Sequence, residues 1–443
     1  MDPEDIPSLI IKLGKKYGAT DVAANTIVSC IYMIRFSNNE ITVAKTFRNI
    51  ITNVFVMIKE RRAGSTIEEL STKSIEKNIK KIISIAKTSP PGEIYAPLPK
   101  GPFKYNKKLL NIGKIKFDYE KLTDYVDEAI NSALNSGAKR VAGSLIGKKI
   151  ITYLKTSNGA SGKFISNTLE LSIRAFSSDI ATGQFCTFST DEKSFNPSEI
   201  GRIAGEIAKK AIDPKPGEPG KYDAIIGPMT FANLIQHLAL HSSAFNVEAG
   251  LSFLVDKINQ KIASEKLTLI DDATIENSYG SRPFDDEGYP TRRNIIVEKG
   301  ILKTYLHNSL TAKKFNTETT GNAGIIEPTP WNIFVEPGNK TFDELLSEID
   351  NGIYVTNDWY LRYQNYRTGD FSTICRDGLF RIKNGEMIEP IRELRISDNM
   401  LRIFNNIIDL SKEIWPIKWW EVEIPTYAPF ALIKEVNFTK SKM

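Results

Sequence analysis

Residues 213–220 read DPKPGEPG, and this stretch decides how the chain is divided. Each proline lacks a backbone N–H and holds φ near one value. Three prolines and two glycines in eight residues therefore can neither continue a helix nor pair inside a central strand. A junction is expected there. It separates an N-terminal α/β domain over residues 1–212 from a larger, β-rich C-terminal domain over residues 221–443. The fold class expected is α+β, with a mostly antiparallel sheet in the first domain. A length of 443 residues exceeds one ordinary core and agrees with two domains.

Upstream of the junction, residues 5–18 read as a short amphipathic helix. Strands are expected over Asp21 to Phe36 and Glu40 to Lys59, with Ser37-Asn38-Asn39 as the turn. A helix over Lys73 to Thr88 carries lysines on a solvated face. The proline-rich Ser89 to Pro102 is expected to be extended and exposed. Asp118 caps a helix that runs to Ser136, with Leu122, Val126, Ala129, Ile130, Ala133 and Leu134 as its buried stripe. Three strands follow, at Arg140 to Ser144, Lys149 to Ser157 and Leu169 to Ser177, with Asn158-Gly159 as a turn. Asn196, Pro197 and Glu199 open a further helix that reaches about Ile212.

Composition narrows the function. Hydrophobic residues at 41% and charged residues at 25% describe an ordinary globular chain. A net charge of +5 without a dense basic block gives no argument for direct nucleic-acid binding. Cys30, Cys186 and Cys375 are three, scattered and form no CxxC pair, which fits a reducing cytoplasm. The opening MDPEDIPSLIIKLGKK lacks a signal-peptide layout, and no apolar run is long enough for a membrane helix.

Downstream, TFANLIQHLALHSSAF (residues 230–245) holds two of the three histidines. His237 and His241 lie four apart, on one face of a helix. Phe231, Leu234, Ile235 and Leu238 form its apolar stripe. Such a pair can ligate a metal, or can sit partly buried and hydrogen-bonded. A zinc peptidase also needs a third ligand and a general base. Leu238 stands where helical zinc peptidases place the glutamate, and neither Glu248 nor Glu265 has a spacing that commits it. A helix near Ser252 to Ala263 follows.

PFDDEGYPTRR (residues 283–293) presents Asp285, Asp286 and Glu287 before Gly288 and then Arg292-Arg293. Clustered carboxylates serve acid–base catalysis or cation binding. A charged turn with Gly288 at positive φ is the structural alternative. Glu298 to Leu302 reads as a hairpin turn between strands Arg293 to Val297 and Ile301 to Leu306. Thr319 to Gly324, with Thr320, Gly321 and Asn322 at its centre, is a small-residue loop whose backbone can approach a peptide or an anion. It lacks the lysine of a phosphate loop. Cys375 reads as a packed thiol, and Asn384-Gly385 as another hairpin turn.

The order of these features resembles the TldD/PmbA family, also called modulators of DNA gyrase. PFDDEGYPTRRNIIVEKGILKTYLHNSLTAKKFNTETTGNAG carries the closest likeness, and KKYGATDV, GIYVTN and RIKNGE extend it along the chain. The resemblance implies a cytoplasmic protein whose dimers enclose a proteolytic chamber. One branch, TldD, holds zinc through a His-Glu-x-x-x-His helix and a late cysteine. The PmbA/TldE branch lacks that set and acts as partner. Here the register that keeps His241 puts Gln236 at the first histidine and His237 at the glutamate. No cysteine follows Cys375, and Arg292-Arg293 looks like the PmbA branch.

The expectation is a non-catalytic subunit with no metal or cofactor of its own. Zinc is then expected only in a TldD-like catalytic partner. Homo- or heterodimers, an extended peptide substrate added to a sheet edge near the glycine loop, and no membrane or direct nucleic-acid partner follow from the resemblance. Two alternatives stand beside it: a self-sufficient metallopeptidase using His237, His241 and a carboxylate such as Glu248, and a gyrase-modulating binding protein.

Overall fold

The structure is a computed structural model that describes residues 1–441. Its strands form two sheets, the first from residues before 190 and the second from residues after 214. The architecture is α+β, as expected.

The first sheet is antiparallel across the long strands Arg61–Ile67, Glu40–Ile58, Asp21–Ser37, Arg140–Thr156, Ser161–Phe176 and Thr182–Ser189. The two-residue strand Asn111–Ile112 joins it in parallel. The first hairpin turns at Asn38 and Asn39, both at positive φ, which matches the right-handed twist of the strands they join. Arg140–Thr156 is one continuous strand where two were expected. Its Gly147 lets Phe117 lie against the backbone, since a Cβ there would sit 2.8 Å from that ring. The strands Arg61–Ile67 and Thr182–Ser189 were not anticipated.

Helices Ile6–Lys16 and Thr72–Thr88 bury Ile6, Ile10, Ile75, Ile79 and Ile82 against one part of this sheet. Helices Tyr119–Asn135 and Pro197–Lys210 pack on another part. Gly201 and Gly205 approach the carbonyls of Ala129 and Ala133 too closely for any side chain, which sets the helix–helix distance. The Asp118 and Asn196 side chains cap these helices, accepting from the backbone N–H of Glu120 and Glu199 at 3.2 and 3.1 Å. The segment over residues 89–102 is irregular but not wholly exposed. Ala96 and Leu98 are buried, and Leu98 packs with Ala23 and Met57.

The second sheet is mixed. Gly220–Ile226 pairs in parallel with Asn351–Asn365 and antiparallel with Val422–Lys440. Within residues 213–220, Lys215–Pro216 forms a two-residue strand at the edge, where a missing N–H is tolerated. The expected helix over residues 252–263 does not form. Asp256 and Asn259 adopt positive φ there. The backbone bonds instead to the 298–302 hairpin, Asn259 N–H donating to Leu302 at 2.8 Å and Ile262 N–H to Gly300 at 2.8 Å. The second hairpin strand is Ile301–Leu302, shorter than expected.

One apolar core runs through both halves. Phe185 of the first sheet meets Trp415 of the second edge-to-face at 5.1 Å. No helix among the described residues is long and apolar enough to cross a membrane.

Candidate functional site

The histidine helix spans Pro228–His241, with Pro228 pre-set for its first turn. A separate short helix, Ala244–Glu248, follows. The histidine helix packs against the strands Asn351–Asn365 and Val422–Lys440. Burial therefore extends past the apolar stripe to Thr230, Asn233 and Gln236.

Gln236 is spent on structure. Its amide donates to the Glu421 carbonyl at 2.7 Å and accepts from the Ile424 N–H at 3.1 Å, tying the helix to the last hairpin. One turn earlier, Asn233 donates to Asp358 at 3.0 Å, and Thr373 donates to the same oxygen at 2.7 Å. Burial pushes the Asp358 carboxyl up to about 7.

The histidines enter an aromatic box rather than an open cleft. His237 meets Tyr363 edge-on at 5.4 Å. His241 lies 4.8 Å from Tyr363 and 4.7 Å from Phe253, and its Nδ1 has no hydrogen-bond partner among the described residues. Burial lowers His237 to about 3 and His241 to about 4, so both rings are neutral at pH 7. Neutral imidazole suits a metal, but the remaining donors do not fit one. Gln236 is committed at both ends of its amide, and Glu248 is ion-paired to Lys314. Cys375 is buried opposite Asp358 on the neighbouring strand, and burial raises its thiol well above the ordinary range. Among the described residues, no group of three or more His, Cys, Asp or Glu side chains is placed to hold a metal ion. A catalytic zinc does not fit this helix.

The acidic turn joins the two halves of the molecule. Asp285 is fully buried. It accepts from the backbone N–H of Glu287 at 3.0 Å, Tyr289 at 2.9 Å and Ala323 at 3.1 Å. Burial first, and then the neighbouring Glu287, hold its carboxyl well above the ordinary range. Asp286 accepts from Arg282 at 2.8 Å and from Asn25 of the first sheet at 3.1 Å. Glu287 accepts from the Ser309 N–H at 2.9 Å. Burial raises its pKa, and the Arg62 charge offsets part of that rise. Gly288 takes φ +79° as expected of the turn. Its carbonyl accepts from Tyr105 at 2.8 Å, and a Cβ on it would lie 2.6 Å from Ala160.

The threonine–glycine loop is held by neighbouring segments. Thr320 accepts from the His307 N–H at 2.7 Å, and the Gly321 carbonyl accepts from the Trp331 indole at 2.9 Å. Asn322 has no exposed surface. It donates to Asp271 at 2.6 Å and accepts from Asn294 at 3.0 Å. With its polar groups engaged internally, this backbone offers little to a peptide or an anion. Arg292 donates to the Thr319 carbonyl, and Arg293 extends outward near Asp272 and Glu336. The acidic turn and the loop are thus joined, through the Ala323 N–H on Asp285 and the Asp286 N–H on the Ala323 carbonyl, while the histidines pack on Tyr363 and Phe253 instead. Sequence reasoning passed over Asn25, Arg62, Tyr105, Arg282 and Asp358. Apart from two arginines and one aspartate in otherwise unremarkable strands and loops, they carry no local signal.

A family model described as the PmbA/TldA metallopeptidase C-terminal domain matches residues 219–440. A metalloprotease of Methanocaldococcus jannaschii is 31% identical over 240 residues, covering 51% of this chain and 51% of that protein. The chain thus spans about half the length of the first curated relatives it matches. A metalloprotease PmbA homolog of Haemophilus influenzae is 25% identical over 422 residues, 92% of this chain and 90% of its own length. The fold is also that of TldE from Thermococcus kodakarensis, with a TM-score of 0.81, 22% identity and 98% and 99% of the two chains covered. A Thermotoga maritima protein described as a modulator of a DNA gyrase superposes with a TM-score of 0.84 at 23% identity, over 98% and 100%. The chain belongs to the PmbA/TldD metallopeptidase family.

Proposed function

We propose that this chain is a TldE-like, non-catalytic subunit that works beside a zinc-bearing TldD-like subunit in the proteolysis of extended or unfolded peptides. The observation that carries the reading is the state of the histidine helix. Gln236 holds two backbone groups, His237 and His241 pack on Tyr363, and among the described residues no group of three metal-binding side chains forms around them. A catalytic zinc needs three protein ligands and a base to activate water, and this helix supplies neither. The chain's own contribution is then to shape the space a peptide occupies.

The likeness to TldE in fold, and the PmbA homologs among the relatives, support this reading. The test has two parts. Metal analysis of purified chain after dialysis against zinc is expected to give far less than one ion per chain. Peptide hydrolysis is expected only after a TldD-type subunit is added. Chelator-sensitive cleavage by the chain alone would overturn the reading.

A further inference from the structure

An open recess of about 460 Å³ lies between the tip of the first hairpin and the second sheet. Arg35, Phe36, Ser144, Ser172, Trp359 and Trp420 are among the residues that line it. Its chemistry is one-sided. The lining includes two arginines and several hydroxyls, and no carboxylate among the described residues. Arg174 is already neutralised by buried Asp377 at 2.7 Å. Arg35 is exposed and makes no ion pair with any described residue. An unpaired guanidinium at the mouth of a carboxylate-free recess calls for an anionic ligand, and its planar fork matches a carboxylate.

The aromatic wall adds an apolar requirement. Trp420 is 53% exposed, far more than a large indole needs to be. It is held edge-on against Trp359 at 5.5 Å and Tyr360 at 5.7 Å. Arg174 and Arg376 lie over the Trp359 ring at 4.4 and 4.5 Å, and Trp419 meets Trp420 edge-on at 5.3 Å, so Trp420 is the half-exposed ring of this cluster. Trp359 also keeps a buried indole N–H without a partner among the described residues. Tyr360 sits at φ +59°, a costly conformation for a bulky side chain, with its N–H donated to Glu421 at 2.8 Å. Glu421 follows Trp420 and is the residue whose carbonyl Gln236 holds. The backbone that follows Trp420 is thus tied to the histidine helix.

We propose that this recess is a docking site for the C-terminal end of a peptide. Arg35 receives the terminal carboxylate, and an apolar side chain near that end lies on Trp420. This rests on the peptide-handling reading above and adds which part of a peptide the chain engages. Nucleic acid, the other partner that stacks on indoles, is disfavoured, because one unpaired arginine gives no track for a phosphate backbone.

The test is fluorescence anisotropy with the full chain and a fluorescein-labelled octapeptide ending in Ala-Leu-Phe, as free acid and as C-terminal amide. The acid is expected to bind about tenfold more tightly than the amide. R35A is expected to erase that difference, R35K to keep part of it, and W420A to weaken both peptides about equally. The wild-type comparison needs no variant, and unchanged thermal melts establish that the variants fold. Failure of the acid to bind, equal affinity for acid and amide, or an acid preference that survives R35A overturns the proposal. So does displacement by inorganic phosphate or a single-stranded oligothymidylate at lower concentration than unlabelled acid peptide. A chain that supports hydrolysis with a TldD-type subunit yet shows no acid preference fails only this proposal. One that prefers the acid yet supports no hydrolysis fails only the functional reading.

Discussion

Asn25, on the first long strand, donates a 3.1 Å hydrogen bond to Asp286 in the acidic turn, across a sequence separation of 261 residues. Asp286 also clasps Arg282, whose guanidinium lies 4.0 Å over the Trp331 ring. All of this is largely withdrawn from solvent. Asp286→Ala would leave Arg282, with a side chain only 15% exposed, without its counter-ion. A loss of about 3 kcal/mol is expected. Asn25→Ala is expected to cost about 1 kcal/mol. Urea unfolding of both single variants and the double variant gives the coupling, and additive losses would show that the two residues do not act together.

Gly288 lies in the same seam. Its φ of +79° and the 2.6 Å approach of Ala160 leave no room for a methyl group. Gly288→Ala is expected to destabilise by about 2 kcal/mol through backbone strain and overpacking together. A melting temperature equal to wild type would show that the turn shifts freely against the first sheet.

Restoring the family's motif is not expected to restore its metal. Gln236→His with His237→Glu rewrites the segment as His-Glu-Leu-Ala-Leu-His. It also cuts the two bonds that Gln236 makes to Glu421 and Ile424. Among the described residues, no group of three or more His, Cys, Asp or Glu side chains is placed to hold a metal ion. Metal analysis after dialysis should stay well below one zinc per chain. Stoichiometric zinc in this double variant would mean that a third donor lies within reach.

The buried histidines make stability fall in acid. His241 is held near 4 in the folded chain and returns to about 6.5 when unfolded, so the unfolded state binds more protons. Its contribution is intact above pH 6.5. It is lost as pH falls toward 4, at roughly 1.4 kcal/mol per pH unit. Asp358 runs the other way. Its folded value near 7 lies above the unfolded one, so its protonated form supports the fold below pH 4, and that support fades as pH rises through 7. His241→Phe should therefore gain on wild type as pH falls from 6.5, and Asp358→Asn should gain as pH rises from 4. Parallel urea curves at each pH measure both trends, and a pH-independent difference would contradict the assignment.

Much of the architecture was legible because its signals are local. Asn38-Asn39 and Asn384-Gly385 accept positive φ, Asp118 and Asn196 cap helices, and alternating Val and Ile mark the strands. The misreadings share one cause. Residues 252–263 carry helix-like apolar spacing, yet their backbone bonds to a hairpin 40 residues later. Arg61–Ile67 has little apolar character and is a strand only because Glu40–Ile58 offers it a partner edge.

The sequence by itself determined the family, the α+β class and which residue types stand along the histidine helix. Each of these depends on residue type and spacing. Only the tertiary structure decided that His237 and His241 face Tyr363, that the acidic turn binds the first sheet, and that the threonine–glycine loop spends its polar groups on neighbouring segments. Those facts depend on which distant groups meet. Burial then sets whether a carboxylate or an imidazole is a surface charge, a hidden neutral group or an anchor.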